Sequence, residues 1–169
     1  MMHTDTSPDD LKKAMDTAIR ILARRSHSGA EIRQKLRQRG FDAEIIHAVI
    51  SECERMNYID DTQTLGQYFR ELKHKGCGPQ KVRAEMKKKG LWGDSAELLV
   101  SEYAESQEER EAVRNVFEKK KAAFDREKDG RKRKDKIFRF LSSRGFSASL
   151  ISELIRQQAT PESDTGADY

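Results

Sequence analysis

Three glycines, Gly40, Gly90 and Gly145, close stretches of one pattern, spaced 50 and then 55 residues apart. The stretches read KLRQRGFDAEIIHAVI, EMKKKGLWGDSAELLV and FLSSRGFSASLISELI. Four positions before the glycines stand Leu36, Met86 and Leu141, and eight before stand Ile32, Val82 and Ile137. One position after come Phe41, Leu91 and Phe146. A chain that repeats one pattern at this period folds as stacked copies of a single supersecondary unit. The pattern also specifies its own geometry. If each glycine is the left-handed residue just past a helix end, the residue four before and the residue one after form the apolar pair of a Schellman motif. Arg39, Lys89 and Arg144 then lie in the last turn, where positive charge suits the helix dipole.

The 169 residues are 37% charged and only 36% hydrophobic, too polar for one large core but suited to units that touch only their neighbours. The expected fold class is all-α, an elongated, curved array of three tandem three-helix repeats. A first helix over Asp9–Arg25 carries the stripe Leu11, Ala14, Met15, Ala18, Ile19 and Leu22. Ser28 and Glu31 form a capping box for the second helix, and Asp42 caps a third with Ile45, Ile46, Val49, Ile50, Cys53 and Met56 inward. Asp60 and Gln63 start the fourth, with Leu65, Tyr68, Phe69 and Leu72 on its apolar face, and Gly76, Cys77 and Gly78 break it. Pro79 opens the fifth, and a sixth follows Gly90 with Leu98, Leu99, Val100 and Tyr103. The third unit is expected to begin with one long helix, Glu108 to about Arg126, then a loop over 128–134 and helices near 135–144 and 147–158. Domain boundaries follow: a flexible acidic tail over 1–8, repeats over 9–59, 60–106 and 107–158, and a disordered tail over 159–169.

Charge is unevenly spread. The total is +4, yet residues 1–10 and 159–169 each contribute −3, so residues 11–158 are +10, of which 107–158 holds +6. Such a body favours a polyanionic or acid-lined partner over a neutral one. Candidate partner-binding residues are Arg24, Arg25, Arg33, Lys35, Arg37, Lys73, Lys75, Lys81, Arg83, Lys87, Lys88 and Lys89, with a further cluster at Arg131–Lys134. Arg33 and Arg37 match Lys87 and Lys88 on the second helices of their units, so stacking would align them in a stripe. The competing reading is an ordinary solvated face.

No catalytic constellation is present in the pattern. His27, His47 and His74 lie in separate contexts, and His3 is in the tail. Cys53 falls on an apolar stripe, and Cys77 has no partner at metal or disulfide spacing. No phosphate-binding loop, metal set or cofactor motif appears, so an enzyme is not expected. No apolar run approaches the roughly 20 residues of a membrane span, and the acidic start is unlike a secretory signal. The expected location is the cytoplasm.

The segment YIDDTQTLGQYFRELKHKGCGPQKVRAEMKKKGLW, over 58–92, resembles the most recognisable part of the RecX family of recombinase regulators. Asp60, Asp61, Lys75, Gly76, Pro79, Val82, Met86, Lys89 and Gly90 fill its pattern, with Met86 in place of the usual leucine. Upstream, Leu22, Arg25, Ser28, Glu31, Lys35 and Leu36 are in register with the family's opening, and the Gly145 stretch resembles its closing segment. The resemblance covers roughly 11–158. It implies a three-repeat, all-helical modulator; separately, no cofactor and a monomer are expected. Such a protein binds the RecA filament on single-stranded DNA and restrains ATP hydrolysis, strand exchange and SOS coprotease activity. It also implies that Asp60, Asp61, Gly40, Gly76, Pro79, Gly90 and Gly145 are structural. The alternative is a direct DNA-binding protein built from tandem helix-turn-helix-like units, which would retain naked duplex selectively. Weak non-specific DNA affinity is compatible with both.

Overall fold

The computed structural model describes residues 7–159, and these form ten α-helices with no strand among the described residues. They are α1 (Pro8–Leu22), α2 (Gly29–Arg37), α3 (Ala43–Arg55), α4 (Asp61–His74), α5 (Pro79–Lys88) and α6 (Asp94–Tyr103). Then come α7 (Gln107–Glu118), α8 (Lys121–Asp125), α9 (Gly130–Ser143) and α10 (Ala148–Ala159). The repeated glycine sites are as the pattern requires. Gly40, Gly90 and Gly145 have φ of 83°, 68° and 89°. The Phe41, Leu91 and Phe146 amides donate back to Leu36, Met86 and Leu141 at 3.3, 3.0 and 3.4 Å, which closes a Schellman motif on α2, α5 and α9. The same turn ends α4 at Gly76, where the Cys77 amide reaches the Leu72 carbonyl at 3.0 Å. It ends α3 at Asn57, the residue that best tolerates the left-handed region after glycine.

Compactness divides the chain into two units: Met1–Arg70 with Glu85–Ala96, and Glu71–Ala84 with Glu97–Tyr169. In the first, α1, α2 and α3 enclose a core of Ala14, Ala18, Ile32, Leu36, Ile46, Val49 and Cys53, extended by Ile59 just ahead of α4. The stripes read from sequence supply this core with two exceptions, since Ile19 and Met56 are exposed. Ser28 and Glu31 make the expected capping box on α2. Asp42 sits at the N-cap of α3 but makes no side-chain cap bond, so there the turn rests on backbone alone. In the second unit Val113, Phe117, Phe124, Ile137, Leu141, Phe146, Ile151 and Leu154 form the core.

Two expectations in the third repeat are corrected. The single helix over Glu108–Arg126 is two helices, α7 and α8, broken at Lys119–Lys120. The break lets Phe124 turn back onto Phe117, with ring centroids 5.8 Å apart, and meet Phe140 edge-on at 5.7 Å. The loop over 128–134 is mostly helix, because Asp129 caps α9 by accepting from the Arg131 and Lys132 amides at 2.9 and 3.1 Å. Ser7 and Pro8 belong to the start of α1, and the rest of both expected tails, apart from Ala159, lies outside the described residues.

Candidate partner-binding surface

The motif residues converge on two helix-end junctions. A helix leaves its last carbonyls and first amides without intrahelical partners, and each junction matches one set to the other. In the first unit the Ser28 hydroxyl donates to the Lys89 carbonyl at the end of α5, 2.6 Å away, while accepting from the Glu31 amide at 3.1 Å. One serine thus caps the start of α2 and closes α5. The paired aspartates divide their labour: Asp60 caps its own α4 through the Gln63 amide at 2.8 Å, and Asp61 takes the Gly29 amide of α2 at 2.9 Å. Gly90 lets the end of α5 approach Ala30, against which any Cβ would collide.

Glu31 is the electrostatic centre of this junction. Its carboxylate accepts from Arg25 at 3.0 Å, the Ser28 amide at 3.1 Å and Lys89 at 3.3 Å. Lys89 in turn lies 4.4 Å from the Tyr68 ring centroid. Burial alone would raise the Glu31 pKa, but the Arg25 and Ser28 hydrogen bonds and the two positive charges pull it from 4.5 to about 2. A carboxyl depressed by folding adds stability in full above its unfolded pKa and loses it as pH falls through the folded value. We therefore expect the melting temperature to fall between pH 4.5 and 2, and Glu31→Gln to be less stable at neutral pH with a flatter acid limb. Thermal melts of both proteins across that range check it; parallel curves would refute the assignment.

In the second unit the bonds between the end of α9 and the start of α5 are made by backbone alone. The Gly78 and Gln80 amides, at the start of α5, donate to the Arg144 and Gly145 carbonyls at the end of α9, at 2.8 and 3.1 Å. Pro79, lacking an amide, stands at the first helical position between them. A Cβ on Gly78 would lie 2.5 Å from the Gly145 carbonyl, which accounts for glycine where the first junction has Ser28. The Arg144 guanidinium donates to the Lys75 carbonyl and the Tyr103 hydroxyl to the Cys77 carbonyl, both at 3.1 Å. Gly76 packs against Val116. Sequence reasoning missed Arg144 and Tyr103, whose signals are only a basic residue before the third glycine and an apolar helix position.

Nearby, Glu109 is buried, with one carboxylate oxygen taking the Glu105 amide at 2.7 Å and the other unpartnered. Burial pushes its pKa up, and burial together with Glu109 and Glu108 raises that of Tyr103. His27 is buried and donates from Nδ1 to the Arg25 carbonyl at 2.8 Å, burial lowering its pKa. His47 and His74 are exposed, and both cysteines are buried and unpaired. Among the described residues no group of side chains could hold a metal ion, and no helix is long and apolar enough to cross a membrane.

The twelve cationic candidates separate by what they touch. Arg25 and Lys89 are bound to Glu31, Lys73 to Glu108 at 2.7 Å, and Lys75 reaches Glu71 at 3.8 Å. Lys87 is exposed above the Trp92 ring at 5.1 Å, and Arg83 is exposed on α5. Arg24, Arg33, Lys35, Arg37, Lys81 and Lys88 have no carboxylate within salt-bridge distance among the described residues. Of these, Arg33 and Arg37 stand one turn apart on the exposed side of α2.

The chain that builds these helix-end junctions resembles known proteins in sequence and fold. Residues 14–53 match the first three-helix domain of RecX, and residues 107–155 match the third. The regulatory protein RecX of Legionella pneumophila is 32% identical over 148 residues, 87% of this chain and 95% of that protein. The chain belongs to the RecX family. The regulatory protein RecX of Pelodictyon phaeoclathratiforme is 35% identical over 152 residues, covering 89% of this chain and 92% of its own. A crystal structure of RecX from Lactobacillus salivarius superposes with a TM-score of 0.73 over 89% of this chain and 97% of that one, at 23% identity, which establishes the shared fold. Membership places the chain among the RecX regulatory proteins, and the paired aspartates and the Lys75–Pro79 segment acquire a physical meaning in it. They are the fittings of the helix-end junctions.

Proposed function

We propose that this RecX protein regulates the RecA recombinase by binding, without chemistry of its own. It attaches along the RecA filament on single-stranded DNA and restrains ATP hydrolysis, strand exchange and SOS coprotease activity. The observation that carries the reading is the match to RecX regulatory proteins over nearly nine-tenths of the chain. The charge pattern supports it physically: Arg33 and Arg37 on α2 and Lys88 on α5 are exposed and can meet an acidic surface. Contacts of that kind give fast, salt-sensitive encounter, while the less polar parts of an interface set its lifetime. The protein acts in the cytoplasm, as a monomer.

The decisive measurement is RecA-catalysed ATP turnover on single-stranded DNA with this protein titrated in. Turnover is expected to fall, and inhibition at protein far below the RecA concentration would mean that filament growth is blocked. Unchanged turnover at saturating protein would remove the proposal.

A further inference from the structure

The densest charge in the chain lies away from the junctions. From Lys119 to Lys136 the sequence holds ten Lys/Arg against four Asp/Glu, a net +6 in a protein whose total is +4. Arg131, Lys132, Arg133 and Lys134 occupy the first turns of α9, and all four are exposed. None has a carboxylate within salt-bridge distance among the described residues. Folding does not account for them. Cations at the start of a helix oppose its dipole, and between Phe124 and Ile137 there is no apolar residue for them to shield. Asp129 already takes the Arg131 and Lys132 amides, so the backbone there is capped and what this surface offers is side-chain charge.

A second observation narrows the partner. Phe138, 36% exposed, follows Lys134 by four residues and Arg131 by seven, so the three lie along one side of α9. Ile137 and Leu141 are buried in the core on another side and hold the helix in place. Cations beside an exposed ring fit a single-stranded nucleic acid, whose phosphates meet the charges and whose unstacked bases offer a free face to the ring. A duplex offers this ring nothing, because its bases are stacked on one another.

We propose that the N-terminal half of α9 binds single-stranded DNA directly, with Arg131, Lys132, Arg133 and Lys134 on the phosphates and Phe138 stacked on a base. The choice of DNA rests on the filament reading above. The contact does not, and it is measured without recombinase, so each can fail alone. The full-length protein is titrated against a fluorescein-labelled 20-residue oligothymidylate between 50 and 200 mM NaCl, following anisotropy. Four phosphate contacts give a slope of log affinity against log salt of about −3.

The variant Arg131→Gln/Lys132→Gln/Arg133→Gln/Lys134→Gln is expected to lose at least about tenfold in affinity and most of that slope. Its melting temperature should be no lower, since charges opposing the dipole have been removed. If it does not fold, Arg131→Gln/Lys134→Gln makes the same comparison. Phe138→Leu, which keeps the packed part of the side chain, is expected to weaken oligothymidylate binding about fivefold and leave duplex binding unchanged. Absence of wild-type binding at 50 mM NaCl, or undiminished binding by the neutralised variant, overturns the site. An unchanged single-strand affinity in Phe138→Leu overturns the stacking.

Discussion

Gly145→Ala is expected to lower stability by about 3 kcal/mol or more, and Gly40→Ala by only about 1 kcal/mol, although both glycines have φ above 80°. The left-handed backbone costs an alanine about 1–2 kcal/mol at either position. What differs is the surroundings. A Cβ on Gly40 meets nothing within 4 Å, whereas one on Gly145 runs into the Lys81 backbone, with its Cα at 2.9 Å. Relief requires α9 to draw back from the start of α5, which sacrifices the Gly78 and Gln80 hydrogen bonds to the Arg144 and Gly145 carbonyls. Each is worth about 0.5–1.5 kcal/mol, and more where a buried group is left unpaired. In a domain of this size the difference between the variants corresponds to several degrees of melting temperature. Equal losses in thermal melts would mean that the glycine serves only its own turn, and that the α9–α5 junction adds nothing.

Such junctions explain which parts of the molecule were legible in the sequence. The three Schellman glycines, the Ser28–Glu31 capping box and Pro79 at the start of α5 all act within a few residues, so spacing alone exposes them. Asp61 is different: its partner is the Gly29 amide, 32 residues away, and nothing local distinguishes it from the capping Asp60. The α7–α8 break was hidden because Val113, Phe117 and Phe124 keep helical spacing across it, and neither glycine nor proline marks the stop. The first turns of α9 were hidden for the opposite reason. They contain no apolar residue, and hydrophobic periodicity cannot register a helix whose opening turns are charged throughout after Gly130. Among the cations, sequence position ranked Lys87, Lys88 and Lys89 as equals. Their contacts do not: Lys89 is clasped by Glu31 and Tyr68, and the other two are exposed.

That inequality yields a separable pair of effects. Lys87→Glu/Lys88→Glu is expected to leave helicity and melting nearly unchanged, since both side chains are exposed and Lys87 gives up only its contact with Trp92. In RecA ATPase assays the same protein is expected to need about tenfold more to reach half-inhibition, because reversing two charges of the proposed contact replaces attraction with repulsion. Added salt should narrow the gap from wild type, as screening weakens both. Lys89→Ala should do the converse. It removes one of the two cations that hold Glu31 ionised inside the first junction, so it lowers the melting temperature while inhibition below that temperature stays near wild type. If Lys87→Glu/Lys88→Glu inhibits as well as wild type, the exposed end of α5 is solvated surface. The recombinase contact would then have to be sought on the unpaired arginines of α2.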